Sequence, residues 1–331
     1  MPDKAKTVKL RMQCIESNWN RIFMNNLYWN IYQRLEQELI ELSDVIFIDD
    51  AQINVYSMKI ADLLMRTCVE IEAISKKLYV DNGGTITDEK KMYFDKVCID
   101  LLERKWLLSK KVVLVTCPTL YLKKKDNRIL TPLLHANIFG DGSADWAIAY
   151  QAIKHSRINN LSQGNIKLFL HALAALYILN LYLGQQKIDL GRDSVGAGID
   201  WGLGSKVFSV KLHLCDTGVS EDPKYKKKED YDECLYLSQK TEETNQRAVE
   251  TLRKLNRNIV EALPKEVEKL VNQKIKEGTL TIEDMNQHKI NELVQKVQVD
   301  ILKNRNISDR RELHLAIDGL RYEAVLNTQQ Y

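Results

Sequence analysis

The chain has 331 residues, enough for two domains or one core with a large appendage. Hydrophobic residues are 44% and charged residues 28%, with Lys plus Arg at 48 against Asp plus Glu at 45, so a sizeable core is available and global charge makes no case for nucleic acid. Gly at 14 and Pro at 5 favour long helices over a loop-rich all-β protein.

In chain order, Ile15, Trp19, Ile22, Leu27, Ile31, Leu35, Leu39 and Leu42 recur at helical spacing and predict a long first helix. "VIFIDD" links it to a second, whose inward stripe is Tyr56, Ile60, Leu63, Thr67, Ile71 and Ile74. After the turn-rich "VDNGGTITDEKK", a helix resumes near Thr87 and Lys90 and carries Phe94, Cys98, Leu101 and Leu102. Val112 to Val115 form a β-favouring run, so a small β insertion is expected near residues 111–122, followed by a lysine-bearing turn. A helix capped by Ser143 or Asp145 then runs through Trp146, Tyr150 and Ile153. "IKLFLHALAALYILNLYL", residues 166–183, has the length of a membrane span, but Lys167, His171 and Asn180 favour a buried central helix.

"GQQKIDLGRDSVGAG" predicts a boundary, giving a helical bundle over residues 1–183 and an extension over 184–331. Phe208, Val210, Leu212 and Leu214 alternate as a strand with one apolar face, which puts His213 on the exposed side, and "CLYLS" is its expected partner. Helical stripes follow at Val249 to Ala262, at Val267 to Ile275 with Pro264 starting a new helix, and at Ile290 to Ile301. The fold class is mainly α: a helical bundle with a small β insertion and an α+β C-terminal extension. The six cysteines have no close pairing, and "MPDKAKTVKLRMQ" has no apolar signal core, so the expectation is a cytoplasmic protein with reduced thiols and no membrane partner.

The chemistry-bearing stretch is "WAIAYQAIKHSR". Trp146, Tyr150, Lys154 and Arg157 are spaced to share one helical face, and His155 joins them if the helix ends there. Glu70 or Glu72 on the second helix is the expected carboxylate partner, holding the His155 ring or pairing with the cations. In a metal-free ribonuclease His155 would act as base or acid, Arg157 and Lys154 would stabilise phosphorane charge, and Tyr150 would position a phosphate or stack a base. The other reading is a structural ion-pair network that fixes helix register. There is no GxxxxGK[ST] or HExxH, no cofactor is indicated, and His155, His171, Glu70 and Glu72 lack diagnostic metal spacing. "KNRNISDRR" from Lys303 is the most basic late patch.

Tyr56-Ser57, "CVEIEAISKKL", "LTPL", "WAIAYQAIKHSR" and "LFLHALAALYILNLYL" resemble landmarks of uncharacterised bacterial helical proteins allied to the HEPN superfamily, over roughly residues 40–183. The resemblance implies a helical bundle, a place in RNA cleavage, stress response or phage defence, and a homodimer. The nuclease pattern in that superfamily resembles Arg, four to six residues, then His. Here His155 precedes Arg157, and the spaced pair Arg128 and His135 has Pro132 between its members. Two functions therefore stand: an RNA-binding or RNA-processing protein of a bacterial stress or phage-defence system, or a non-catalytic assembly or sensor component. Residues 184–331 are the expected surface for a protein partner.

Overall fold

A computed structural model describes residues 26–86, 88, 94–135, 145–215, 225, 227–281, 285–303 and 307–330. Among them are ten α-helices and two small sheets, so the fold is mainly α. Helix α1 is Leu27–Ser43, begun by Asn26, whose side chain accepts from the Tyr28 amide at 3.0 Å. Its buried face is Trp29, Tyr32, Leu35, Glu36 and Leu39; of the expected stripe Leu35 and Leu39 are buried, Ile31 and Leu42 are half-buried and Leu27 is exposed, while Ile15, Trp19 and Ile22 lie outside the described residues. The aromatic rings decide the rotation. Trp29 and Tyr32 lie 5.0 Å apart, Tyr32 is 5.6 Å from Tyr177, and Tyr177 is 5.7 Å from Phe208, so turning this face inward buries the larger apolar area.

Helix α2, Met58–Asp81, is capped by Ser57, which accepts from the Ile60 amide at 3.2 Å. Ile60, Leu63, Thr67, Ile71 and Ile74 are buried as the spacing predicts, while Tyr56 lies outside the helix and is exposed. A π-helical turn, Phe94–Cys98, leads into α3, Ile99–Trp106. The expected start of that helix at Thr87 and Lys90 lies outside the described residues. Strand β1, Val113–Val115, falls within the expected insertion. A short helix α4, Lys125–Arg128, precedes β2, Ile129–Leu130. Helix α5 is Asp145–His155, α6 is Arg157–Asn160, and α7 is Ile166–Gly184.

Helix α7 is the one described helix long and apolar enough to cross a membrane, with a mean hydropathy of 1.7 in its most apolar window, yet 78% of that window is buried inside the protein. It packs on α1, α2 and α5. Each buried Leu, Ile or Phe there contributes about 1.5–3 kcal/mol, which makes α7 the axis of the core.

The remaining elements are β3, Ile188–Gly191; β4, Phe208–Val210; β5, Leu212–Leu214; β6, Tyr236–Lys240; α8, Glu242–Lys276; α9, Gln287–Lys303; α10, Ile307–Asp318; and β7, Tyr322–Leu326. One sheet has the order β2-β1-β4 and the other β3-β7-β6-β5. The apolar core is continuous from Trp29 to Leu326 across the boundary expected at residue 183. Strand β1 pairs antiparallel with β4, and the Tyr182 hydroxyl donates to the Asn327 carbonyl at 2.8 Å. The final strand β7 lies in the middle of its sheet, antiparallel to both β3 and β6. Helix α8 runs through Pro264 without the expected restart. The Pro264 ring removes one backbone donor, four residues on from Val260, and Val260 is exposed, so water can serve its carbonyl.

The run read as one strand over residues 208–214 is two strands. Strand β4 pairs with β1, whereas β5 pairs parallel with β6, so the chain changes sheets at Lys211 and the alternation changes phase. Phe208 and Val210 point inward, Leu212 is half-buried, and Leu214 is exposed. His213, expected to face solvent, is fully buried.

Candidate functional site

The predicted cluster lies where α5 ends and α6 begins. Trp146 anchors α5: its indole N–H donates to the Pro132 carbonyl at 2.8 Å, and its ring lies 5.9 Å from Phe94. Tyr150, one turn on, is also buried, so its ring is closed to a stacking base. Burial, then the charge of Glu72 and the neighbouring Cys68, push its hydroxyl pKa up. Lys154 lies over the Tyr150 ring, 5.3 Å from its centroid. His155 is the exposed last residue of α5 and makes no hydrogen bond or ion pair among the described residues.

The helix breaks at Ser156, which has extended φ. Asn160 braces the break, its amide donating to the carbonyls of Ala152 at 3.1 Å and Ser156 at 2.9 Å. Gly164 then lets the chain approach α2: a Cβ there would come within 2.5 Å of the Ala61 Cβ. In the same region Arg157 reaches the neighbour of Ala61, Asp62, at 2.8 Å.

The carboxylate on Arg157 is thus Asp62, with both side chains at least a third exposed, in place of the expected Glu70 or Glu72. Glu72 is near enough to act on Tyr150. Glu70 instead helps line a groove of about 350 Å³ with Ile31, Arg34, Met65, Arg66 and Val69, and burial raises its pKa. Lys154, His155 and Arg157 line no part of that groove. Comparison with family models, curated proteins and solved structures finds no match.

A second polar cluster escaped the sequence reading because it depends on the phase change at Lys211. His213 is enclosed by the rings of Tyr225 and Tyr231, 5.7 and 5.4 Å away and both edge-on. Its Nδ1 lies 2.9 Å from an Asp230 carboxylate oxygen, and its Nε2 contacts the Tyr225 hydroxyl. The Cys234 thiol lies 3.8 Å from the other Asp230 oxygen. Burial, with Asp230 adding to it, pushes that thiol up to about 12. Lys111 is buried alongside, its ammonium donating to the carbonyls of Asp232 at 2.9 Å and Cys234 at 3.3 Å. Burial brings Lys111 down to about 8 against the opposing pull of Asp232. The four-residue step from Asp230 to Cys234 was a readable signal, but without the buried histidine it pointed nowhere.

A third feature is structural. Glu36, buried on α1, accepts from the Tyr32 hydroxyl at 2.7 Å, from Ser205, and from the amides of Lys206 and Val207 at 3.0 Å each. It ties α1 to the loop that enters β4. The five described cysteines, Cys68, Cys98, Cys117, Cys215 and Cys234, form no disulfides.

Proposed function

We propose that the chain is an RNA-directed helical protein that binds single-stranded RNA through Lys154, His155 and Arg157, and does so without cleaving it. The observation that carries this reading is the open helix break, where two exposed basic side chains and one half-buried arginine fall within four residues. Cations presented this way attract phosphates at little desolvation cost. A general base must be held against the proton it takes, usually by an orienting partner. His155 is exposed and has no carboxylate partner among the described residues to orient it, which favours binding over catalysis. The resemblance over residues 40–183 supports a bacterial stress or phage-defence setting. The Arg157–Asp62 pair favours the second reading, in which the break is a helix-register contact of a non-catalytic assembly component.

The test uses fluorescence anisotropy with a labelled single-stranded oligoribonucleotide, together with a gel that reports whether the RNA stays intact. The double variant Lys154→Glu, His155→Ala should bind roughly tenfold or more weakly at low salt. Its thermal midpoint should be almost unchanged, because both side chains are exposed. Equal binding by parent and variant would reject the proposal, and shortened RNA would reject its non-cleaving form.

A further inference from the structure

We propose that His213, Asp230 and Cys234 form a binding site for a zinc-class divalent cation that pins β5 to the turn before β6. The His213 Nδ1, an Asp230 carboxylate oxygen and the Cys234 sulfur all lie within 4.8 Å of one another. Ligand atoms held about 2.0–2.3 Å from a tetrahedral ion sit roughly 3.3–3.8 Å apart. The Cys234 sulfur lies 3.8 Å from one Asp230 oxygen, which already meets that requirement, and Nδ1 lies 2.9 Å from the other, so a small rotation of the carboxylate presents one oxygen to an ion shared with both.

The donor types agree with the geometry. One imidazole nitrogen, one carboxylate oxygen and one thiolate are a mixed set of borderline softness, which suits zinc better than calcium or magnesium. Two anionic donors and a neutral imidazole balance a dication. Binding deprotonates the Cys234 thiol, and the proton leaves to solvent.

The surroundings are those of a metal-ligating histidine. The His213 Nδ1–H donates to the Asp230 carboxylate at 2.9 Å; cation binding replaces that proton, and the neutral ring then carries its proton on Nε2, donated to the Tyr225 hydroxyl, with the Nδ1 lone pair on the ion. The His213 and Cys234 side chains are buried, whereas Asp230 is about half exposed and opens a route from solvent. The site also has work to do in the fold. Strands β5 and β6 are parallel, so no tight hairpin can join them. A cation shared by residues 213, 230 and 234 cross-links the start and the end of that connection.

Cys215 is a stringent control. It is buried two residues along from His213 and lies outside the three-atom cluster. Purified protein, stripped with chelator and titrated with Co²⁺, should take up one ion per chain and show a thiolate-to-cobalt charge-transfer band. Excess Zn²⁺ should abolish the band. Cys215→Ser should keep it, and Cys234→Ser and His213→Gln should lose it. Absence of stoichiometric uptake, a band that survives Cys234→Ser, or a band that requires Cys215 would each overturn the proposal. Should the variants fail to fold, X-ray absorption at the zinc edge of the parent protein decides. One sulfur at about 2.3 Å with nitrogen or oxygen neighbours at about 2.0 Å is expected. A shell without sulfur, or with two sulfurs, contradicts the assignment.

Discussion

Acidification should unfold this protein partly through His171. Its Nε2 is buried without a hydrogen-bond partner among the described residues. Burial first, and the charge of Lys167 second, lower its pKa from 6.5 to about 4, while Asp145 pulls weakly the other way. In the unfolded chain the ring takes a proton near pH 6.5; in the folded chain it resists until about pH 4. Between those values the unfolded state binds more protons, so stability falls as the pH falls. At about 1.4 kcal/mol per pH unit, the full gap is worth roughly 3 kcal/mol, and about 2.5 kcal/mol of it is lost by pH 4.5. His171→Leu removes this linkage. Urea unfolding of parent and variant at pH 7 and pH 4.5 isolates it, because the other carboxylates and histidines are common to both. The parent should lose about 2.5 kcal/mol more than the variant between the two pH values. Parallel losses would refute the claim that this ring stays neutral inside the protein.

Three further outcomes follow from contacts in the core and at the helix break. Glu36→Ala strands the Lys206 amide, since Val207 can still use the Ser205 hydroxyl at 3.2 Å; urea unfolding should show a loss of about 2–4 kcal/mol, with Glu36→Gln milder. Gly164→Ala drives a methyl to within 2.5 Å of the Ala61 Cβ and should cost about 1–3 kcal/mol by the same measurement. Asp62→Asn frees Arg157 from a solvent-exposed pair, so it should cost less than about 1 kcal/mol of stability while tightening RNA binding severalfold in anisotropy titrations.

Much of the helical frame was legible because its signals are local. The stripe from Ile60 to Ile74 marked α2, and an apolar run too polar for lipid marked α7 as a core helix. On α1 the spacing marks Leu35 and Leu39, but the inward place of Trp29 and Tyr32 was not legible, because it depends on aromatic contacts with Tyr177, far along the chain. The sheets were harder still. Strand β7 is defined by partners more than eighty residues earlier in the chain, and one non-local switch at Lys211 reversed the side on which His213 lies. The aromatic–basic helix is legible as an element from its own residues, and Trp146 anchors it. Its acidic partner was placed two to three turns too far along α2, since Asp62, Glu70 and Glu72 share a helix whose axial offset against α5 no one-dimensional spacing contains.

The most direct test of the proposed RNA-binding surface is the salt dependence of binding. For single-stranded RNA, log Kd should rise with log salt by about 0.7 for each phosphate neutralised. Lys154→Ala should therefore lower that slope by about 0.7, with the RNA recovered intact. A slope identical to that of the parent would show that Lys154 meets no phosphate and would contradict the account.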